Sequence, residues 1–212
     1  MASRWKSSGF TLIELMIVVS VIALLAAIAI PNLLRFQTRS KQSEAKVNLK
    51  LVFVAQRSYF HERETYVTTI VLLGFAPERG NRYAYFLTAA PVSVEDRSTV
   101  NAVTSATDGA VLVDLFKYPT AIAAPPVAEG TITWAAGGTI APPAPAGVSG
   151  LCPNCSFLAY AAGNIDNEPV GIDSWVVSSK DATIVPACGD VADTAVPAGQ
   201  PYNTYNDVNC DT

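Results

Sequence analysis

The 212-residue chain contains one histidine, two methionines and only 15% charged residues. His61 sits in a solvated His-Glu-Arg-Glu stretch, and the chain has no phosphate-binding glycine loop ending in lysine, no dinucleotide fingerprint and no serine nucleophile elbow. Nothing in it asks for catalysis or for a cofactor. Basic residues are also scarce: 14 Lys plus Arg stand against 18 Asp plus Glu, for a net charge of −4 and a pI near 4.9. That sign argues against a nucleic-acid partner. Half the residues are apolar, which excludes a wholly disordered chain, and the length admits one domain or a small two-part protein.

The apolar residues are concentrated. Phe10 to Ile30 carries a single charge, Glu14, and as a helix rising 1.5 Å per residue it would be about 31 Å long, matching the hydrocarbon core of a bilayer. Before it stands only a short basic segment with Arg4 and Lys6, ending in Gly9. An ordinary secretory signal places its cleavage site after the apolar stretch. Here the small-residue junction comes first, so cutting after Gly9 would remove the basic leader and keep the whole helix as an anchor, with Phe10 as the new terminus.

Gly9-Phe10-Thr11-Leu12-Ile13-Glu14, the apolar run and then Pro31 resemble the class III signal of type IV pilins and pseudopilins. The resemblance implies a prepilin peptidase that cuts after Gly9 and methylates Phe10, with Glu14 retained inside the apolar helix. Further landmarks, Ser40-Lys41-Gln42-Ser43-Glu44-Ala45-Lys46, Phe75-Ala76-Pro77-Glu78-Arg79-Gly80-Asn81-Arg82-Tyr83, Cys152-Pro153-Asn154-Cys155 and Pro201-Tyr202-Asn203-Thr204, look like those of myxobacterial major type IV pilins. Residues 90–150 carry no such match and are where surface specificity is expected.

A carboxylate toward the bilayer interior costs about 2.5–3.5 kcal/mol, so Glu14 needs a partner or a function. One reading is a capping box in which Thr11 caps the helix and Glu14 reaches back to its amide. The other pairs Glu14 with the Phe10 amine of a neighbouring subunit, neutralising two charges as helices stack in a fibre. The amine appears only after cleavage, so the leader would also block premature assembly.

Pro31 lacks the amide a continuing helix needs, and the chain is expected to kink or loosen near residues 27–31 without stopping. From Arg35 to about Arg63 the helical period returns. Val47, Leu51, Val54 and Ala55 form one stripe, and Leu49, Phe53 and Phe60 another. Such a stripe packs on the molecule's own sheet or on another subunit. Arg35, Arg39, Lys41, Lys46 and Lys50 outnumber the basic residues of the leader and would by themselves hold this segment in the cytoplasm. Four cysteines in a lysine-poor C-terminal region, and a domain large enough to translocate regardless of charge, outweigh that count. The basic stretch reads as a solvated helix face able to meet acidic neighbours in a salt-sensitive way.

Beyond residue 64 Thr, Val, Ala, Gly and Pro replace the helical pattern. Strands are predicted at 83–89, 110–116, 131–134, 156–161 and 174–178, several of them forming one antiparallel sheet covered by the amphipathic helix. The fold class is α+β. Residues 137–150, with Pro142, Pro143 and Pro145, and 124–126 read as loops. Cys152, Cys155, Cys188 and Cys210 allow three disulfide connectivities. The resemblance to pilins, whose C-terminal loops are commonly disulfide-closed, favours Cys188 with Cys210 and Cys152 with Cys155, and the longer loop would contribute about 3 kcal/mol. A redox role for Cys152-Pro-Asn-Cys155 is the alternative, and zinc is disfavoured because no second close pair is present. Gly163 to Glu168 and Asp173 make an oxygen-rich stretch in which Asp166 and Asp173 are weak calcium candidates beside a plain polar turn.

The organisation expected is a leader at 1–9, a membrane and filament-core helix at 10–34, an amphipathic helix at 35–63 and a β-rich head at 64–212. By resemblance, the chain would be a major pilin: an inner-membrane precursor, handled by a prepilin peptidase and a pilus assembly platform, that polymerises with copies of itself into an extracellular filament. Such filaments support adhesion and twitching motility, with a surface or polysaccharide receptor possible. A pseudopilin or minor pilin is the rival. Glu14→Ala is expected to leave cleavage and methylation intact while lowering the yield of sheared filament. Normal filament yield from that variant would remove Glu14 from assembly.

Overall fold

The computed structural model describes residues 9–165, 171–189 and 194–210. The chain divides into two compact units, one ending at Gln37 and the other beginning at Thr38. Helix α1 (Leu12–Arg63) contributes to both and continues through position 31. It ends where Glu64 takes a left-handed conformation, φ 55°, and donates its amide to the Phe60 carbonyl.

In the first unit the described side chains of α1 are exposed except for Ala26, which is half-buried. The described large apolar side chains from Leu12 to Phe36 all lie open, Leu12 at 76% and Phe36 at 70%. The polar groups among them are satisfied along the helix itself, Ser20 Oγ donating to the Met16 carbonyl (2.8 Å) and Asn32 Nδ2 to that of Ile28 (3.1 Å). A helix that closes its own hydrogen bonds and exposes apolar groups all round is suited to an apolar surrounding.

The second unit has three layers. After α1 come α2 (Ile70–Leu73), β1 (Ala84–Phe86), β2 (Ser93–Glu95), β3 (Asp108–Val111), β4 (Thr131–Trp134), β5 (Gly147–Ser149), β6 (Ser156–Gly163), β7 (Asp173–Ser178), β8 (Ala182–Val185), β9 (Thr194–Val196), β10 (Tyr202–Tyr205) and α3 (Asp207–Cys210). The larger sheet runs β10-β7-β6-β1-β3-β2, with β5 also on β6, and a smaller sheet runs β4-β8-β9. All pairings are antiparallel except β2 with β3.

Strand pleating divides the core in two. Tyr83, Tyr85, Phe157, Ala159, Ala161, Trp175 and Val177 point to the α1 side, where they join Ala45, Leu49 and Val52. Ala84, Phe86, Leu158, Tyr160, Ala162 and Val176 point the other way, toward Ala182, Ile184 and Val196 of the small sheet. Both faces of β6 are therefore covered, and all its residues are buried.

Several sequence expectations change. The strand predicted at 83–89 shortens to β1, the one predicted at 110–116 lies earlier, at 108–111, and β2, β5, β8, β9 and β10 are strands that the sequence pattern does not predict. The single sheet becomes two, because residues of both parities in the central strands need cover. Residues 137–150 are not all loop, since β5 pairs with the start of β6. The stripe facing the sheet is Gln42, Ala45, Leu49, Val52 and Gln56. Val47, Leu51 and Val54 point outward at 58%, 54% and 55% exposure, whereas Ala55, Phe53 and Phe60 pack partly against the core.

Two buried glutamines bound that inner stripe. Gln56 Nε2 donates to the Val67 carbonyl and its Oε1 accepts the Val67 amide, fixing the chain that leaves α1. Phe53 lies against Gly199, where a Cβ would fall 2.4 Å from the ring, and Gly199 has φ +75°, so both space and backbone require glycine. Leu49→Ala is expected to lower the unfolding free energy by about 2–5 kcal/mol, as for a cavity in a closed core. Leu51→Ala should stay within about 0.5 kcal/mol in the unassembled protein, since surface substitutions do little. Denaturant titration of the full chain in detergent distinguishes the two; equal losses would contradict the assigned helix face.

Candidate assembly site

The chemistry singled out by the sequence falls in two places, the start of α1 and the C-terminal part of the head. At the start of α1, Phe10 is 87% exposed and a Cβ placed on Gly9 would meet no described atom within 4 Å. The described fold therefore gives glycine at 9 no internal steric reason. Thr11 and Glu14 form a reciprocal capping box: Glu14 Oε2 accepts the Thr11 amide (2.9 Å) and hydroxyl (2.6 Å), and the Glu14 amide donates to Thr11 Oγ1 (3.3 Å). Oε1 takes no hydrogen bond among the described residues. The cap therefore leaves Oε1 for a further donor.

In the head, Asp173 at the start of β7 is fully buried and gathers donors from five segments. Its Oδ1 accepts from Gln42 Nε2 (2.8 Å), Asn203 Nδ2 (2.9 Å) and the Asp207 amide (3.4 Å). Its Oδ2 accepts from the Tyr83 hydroxyl (2.6 Å) and Trp175 Nε1 (2.5 Å). One carboxylate thereby joins α1, the edge of β1, β7, β10 and α3. Burial lifts its pKa above the ordinary value despite these hydrogen bonds. Beside it, burial and the facing Asp173 raise the Tyr83 hydroxyl well above its usual range.

This arrangement replaces the calcium reading at Asp173, because both oxygens are already saturated by protein donors. Asp166, the other calcium candidate, lies outside the described residues. No cluster of three or more potential metal ligands occurs among the described residues.

The cysteines are joined Cys188–Cys210 and Cys152–Cys155. The first bond ties α3 back to the segment before β9, and the bridge between Cys188 and Tyr205 runs alongside it. The second closes the turn between β5 and β6, with Cys155 buried in the α1-side core. A strand follows Cys155, not the helix that a redox Cys-X-X-Cys would carry.

Three of the lysines read as a solvated face are engaged with the head. Lys41 Nζ donates to the Ile165 carbonyl, Lys46 lies 4.9 Å over the Trp175 ring, and Lys50 Nζ donates to the Gly199 carbonyl at 2.8 Å. Glu44, also on α1, accepts from the Arg82 amide (3.0 Å) and the Tyr85 hydroxyl (3.1 Å), and burial raises its pKa. Between these attachments the exposed Val47 and Leu51 border two clefts of about 630 and 670 Å³, one toward Trp175, Pro201 and Tyr202, the other toward Ala76–Asn81. The sequence signal for this ridge was the outer helical stripe. The sequence marked Asp173 only as a weak calcium candidate beside a polar turn, and nothing in it pointed to its five donors or to the buried Arg97–Glu95 pair (2.6 Å) that holds the loop after β2.

A long helix, apolar and uncovered at one end and packed at the other on a disulfide-closed α+β head, defines a subunit of the pilin class. Comparison with known proteins makes that specific. Residues 36–172 match the type IV pilin PilA family and residues 6–30 match the prokaryotic N-terminal methylation motif. The chain is 43% identical, over 97% of its length and 94% of the relative's, to the type IV major pilin protein PilA of Myxococcus xanthus. Shorter matches cover about a third of the chain: 39% identity to the wide pilus major component PilA4 of Thermus thermophilus, over 48% of that protein, and 35% to the type II secretion system core protein G of Pseudomonas aeruginosa, over 46% of it. The chain belongs to the type IV pilin PilA family.

The Asp173 cluster sets a testable sign. Because burial raises its folded pKa above the unfolded value of about 3.9, the folded state holds that proton more tightly, and the group's contribution to stability falls as pH rises from that value through the raised folded one. Asp173→Asn should flatten this dependence in denaturant titrations at several pH values. It should also lower stability at pH 7 by about 1–3 kcal/mol, since an amide NH₂ would face donors and leave one unpaired. A stable variant with an unchanged pH profile would contradict the assignment.

Proposed function

We propose that this chain is the major structural subunit of a type IV pilus. Its precursor sits in the inner membrane through the apolar part of α1, loses residues 1–9 to a prepilin peptidase, gains a methyl group on Phe10, and is passed by an assembly platform into an extracellular filament. The observation that carries the proposal is the apolar stretch of α1, none of whose most apolar window is buried within the chain. A homopolymer covers it by packing many copies together. Family membership and the whole-length likeness to a major pilin support the choice of polymer.

Glu14 then serves assembly. It enters the bilayer held by Thr11 through Oε2 and accepts the methylated Phe10 amine of a neighbour through Oε1. The residues at the other end of the helix do different work: Val47 and Leu51, with their flanking clefts, are surfaces for neighbouring heads. Filaments of this kind act mechanically, in surface adhesion and in twitching motility when retracted by separate cytoplasmic motors, and the subunit carries out no reaction. The loops of residues 90–150 supply the contact with a solid surface or polysaccharide.

The rival, a pseudopilin or minor pilin, is supported by the N-terminal signal, which both classes share, and by a match limited to about a third of the chain. Intact-mass and N-terminal peptide analysis of fibres sheared from cells separates the two. A dominant product starting at methylated Phe10 is expected. The processed chain at trace level within fibres of another protein would favour the rival, and an uncut Met1 terminus would contradict both.

A further inference from the structure

β4 stands at the end of the small sheet, paired with β8 on one side. Its other edge makes no backbone hydrogen bond among the described residues. A free strand edge is a template for another strand, and proteins ordinarily blunt it with charge, proline, a bulge or a covering segment. The outer strands β10, β2 and β9 show such devices. Residues 187 and 188 lie along β10, with the Ala187 amide on the Thr204 carbonyl at 2.7 Å and the Asn206 amide on the Cys188 carbonyl at 3.0 Å. β2 carries Glu95 and has an irregular register, and β9 has three residues and runs into Pro197.

Among the described residues β4 has none of these. Its sequence, Thr-Ile-Thr-Trp, is uncharged and rich in β-formers. Its register with β8 is unbroken from Thr131 opposite Val185 to Trp134 opposite Ala182. Ile132 and Trp134 pack on the core of the small sheet, while Thr131 and Thr133 are exposed. Gly130 holds the entry to the strand tightly against β8, since a Cβ there would fall 2.3 Å from the Val185 carbonyl oxygen.

We propose that β4 is a bundling edge, at which β4 of one subunit pairs antiparallel with β4 of a subunit in a second filament. The inference rests on the pilus-subunit reading. A homopolymer presents the same edge at every subunit, and antiparallel self-pairing that keeps the exposed threonines on one face sets Thr131 opposite Thr133 and Ile132 opposite its own copy, with no like charges meeting. Such a two-fold contact is isologous and closes on itself, whereas subunits within one polar helical filament are related head to tail. The pair therefore joins filaments side by side and does not extend one. Four residues make a weak contact, so single subunits stay apart, but the contact repeats along two aligned fibres and gains by effective concentration.

The test uses sheared filaments of the full chain, wild type and two double variants at the exposed positions, Thr131→Lys with Thr133→Lys and Thr131→Glu with Thr133→Glu. Filament yield, fibre width by negative stain and the fraction pelleting at low speed are measured. Wild-type filaments should bundle, and each variant should yield as much filament but about tenfold less low-speed pellet, as expected when a multivalent contact is lost. Mixing lysine-variant with glutamate-variant filaments should restore bundles. Unbundled wild-type filaments, variants that bundle unchanged, or dispersed variants that mixing does not restore would each overturn the proposal. Loss of filaments in both variants would overturn it too, by placing the edge inside the fibre. Absence of wild-type filaments would instead fail the pilus-subunit reading.

Discussion

An apolar helix surface that the chain cannot cover for itself is the constraint from which the rest follows. Burying one Leu or Ile side chain fully is worth about 1.5–3 kcal/mol, and α1 presents such side chains on all sides from Leu12 onward. A bilayer or other copies of the helix meet that demand. The same stretch closes its backbone hydrogen bonds internally and turns Ser20 and Asn32 back onto its own carbonyls. What it leaves polar is Glu14, with one oxygen used by Thr11 and one open.

The other half of α1 obeys different physics. There one stripe is buried against a sheet and bounded by Gln42 and Gln56, and the opposite stripe, Val47, Leu51 and Val54, remains open. The head must hold this helix face firmly if the helix is to transmit force between subunits. Asp173 links α1 to β7, β10 and the disulfide-closed C-terminus, so the helix is held to the sheet by hydrogen bonds as well as by apolar contacts.

Much of the helical part was legible in the sequence because composition and period are local signals. The apolar run, its single carboxylate and an end near Arg63 needed no tertiary information. The inward stripe was harder, since Val47-Leu51-Val54 and Ala45-Leu49-Val52 both have helical spacing, and the buried stripe is the one that ends in two glutamines. The second sheet left a trace that was underused: Phe157, Leu158, Ala159, Tyr160, Ala161 and Ala162 are apolar at both parities, which a sheet covered on one face does not require. Asp173 looked like a turn residue because its partners lie at positions 42, 83, 175, 203 and 207. The disulfide pairing came from family resemblance, as four cysteines alone leave three choices open.

The most direct test of this account is hydroxyl-radical footprinting of residues 12–30 in intact sheared filaments, freed of lipid and detergent, beside dissociated subunits. If copies of the chain cover the apolar helix, this stretch is protected throughout in the filament and becomes labelled on dissociation, while Thr131 and Thr133 in the head remain outside the protected helix core. Labelling of residues 12–30 in the intact filament to the level of the dissociated subunit would contradict the account.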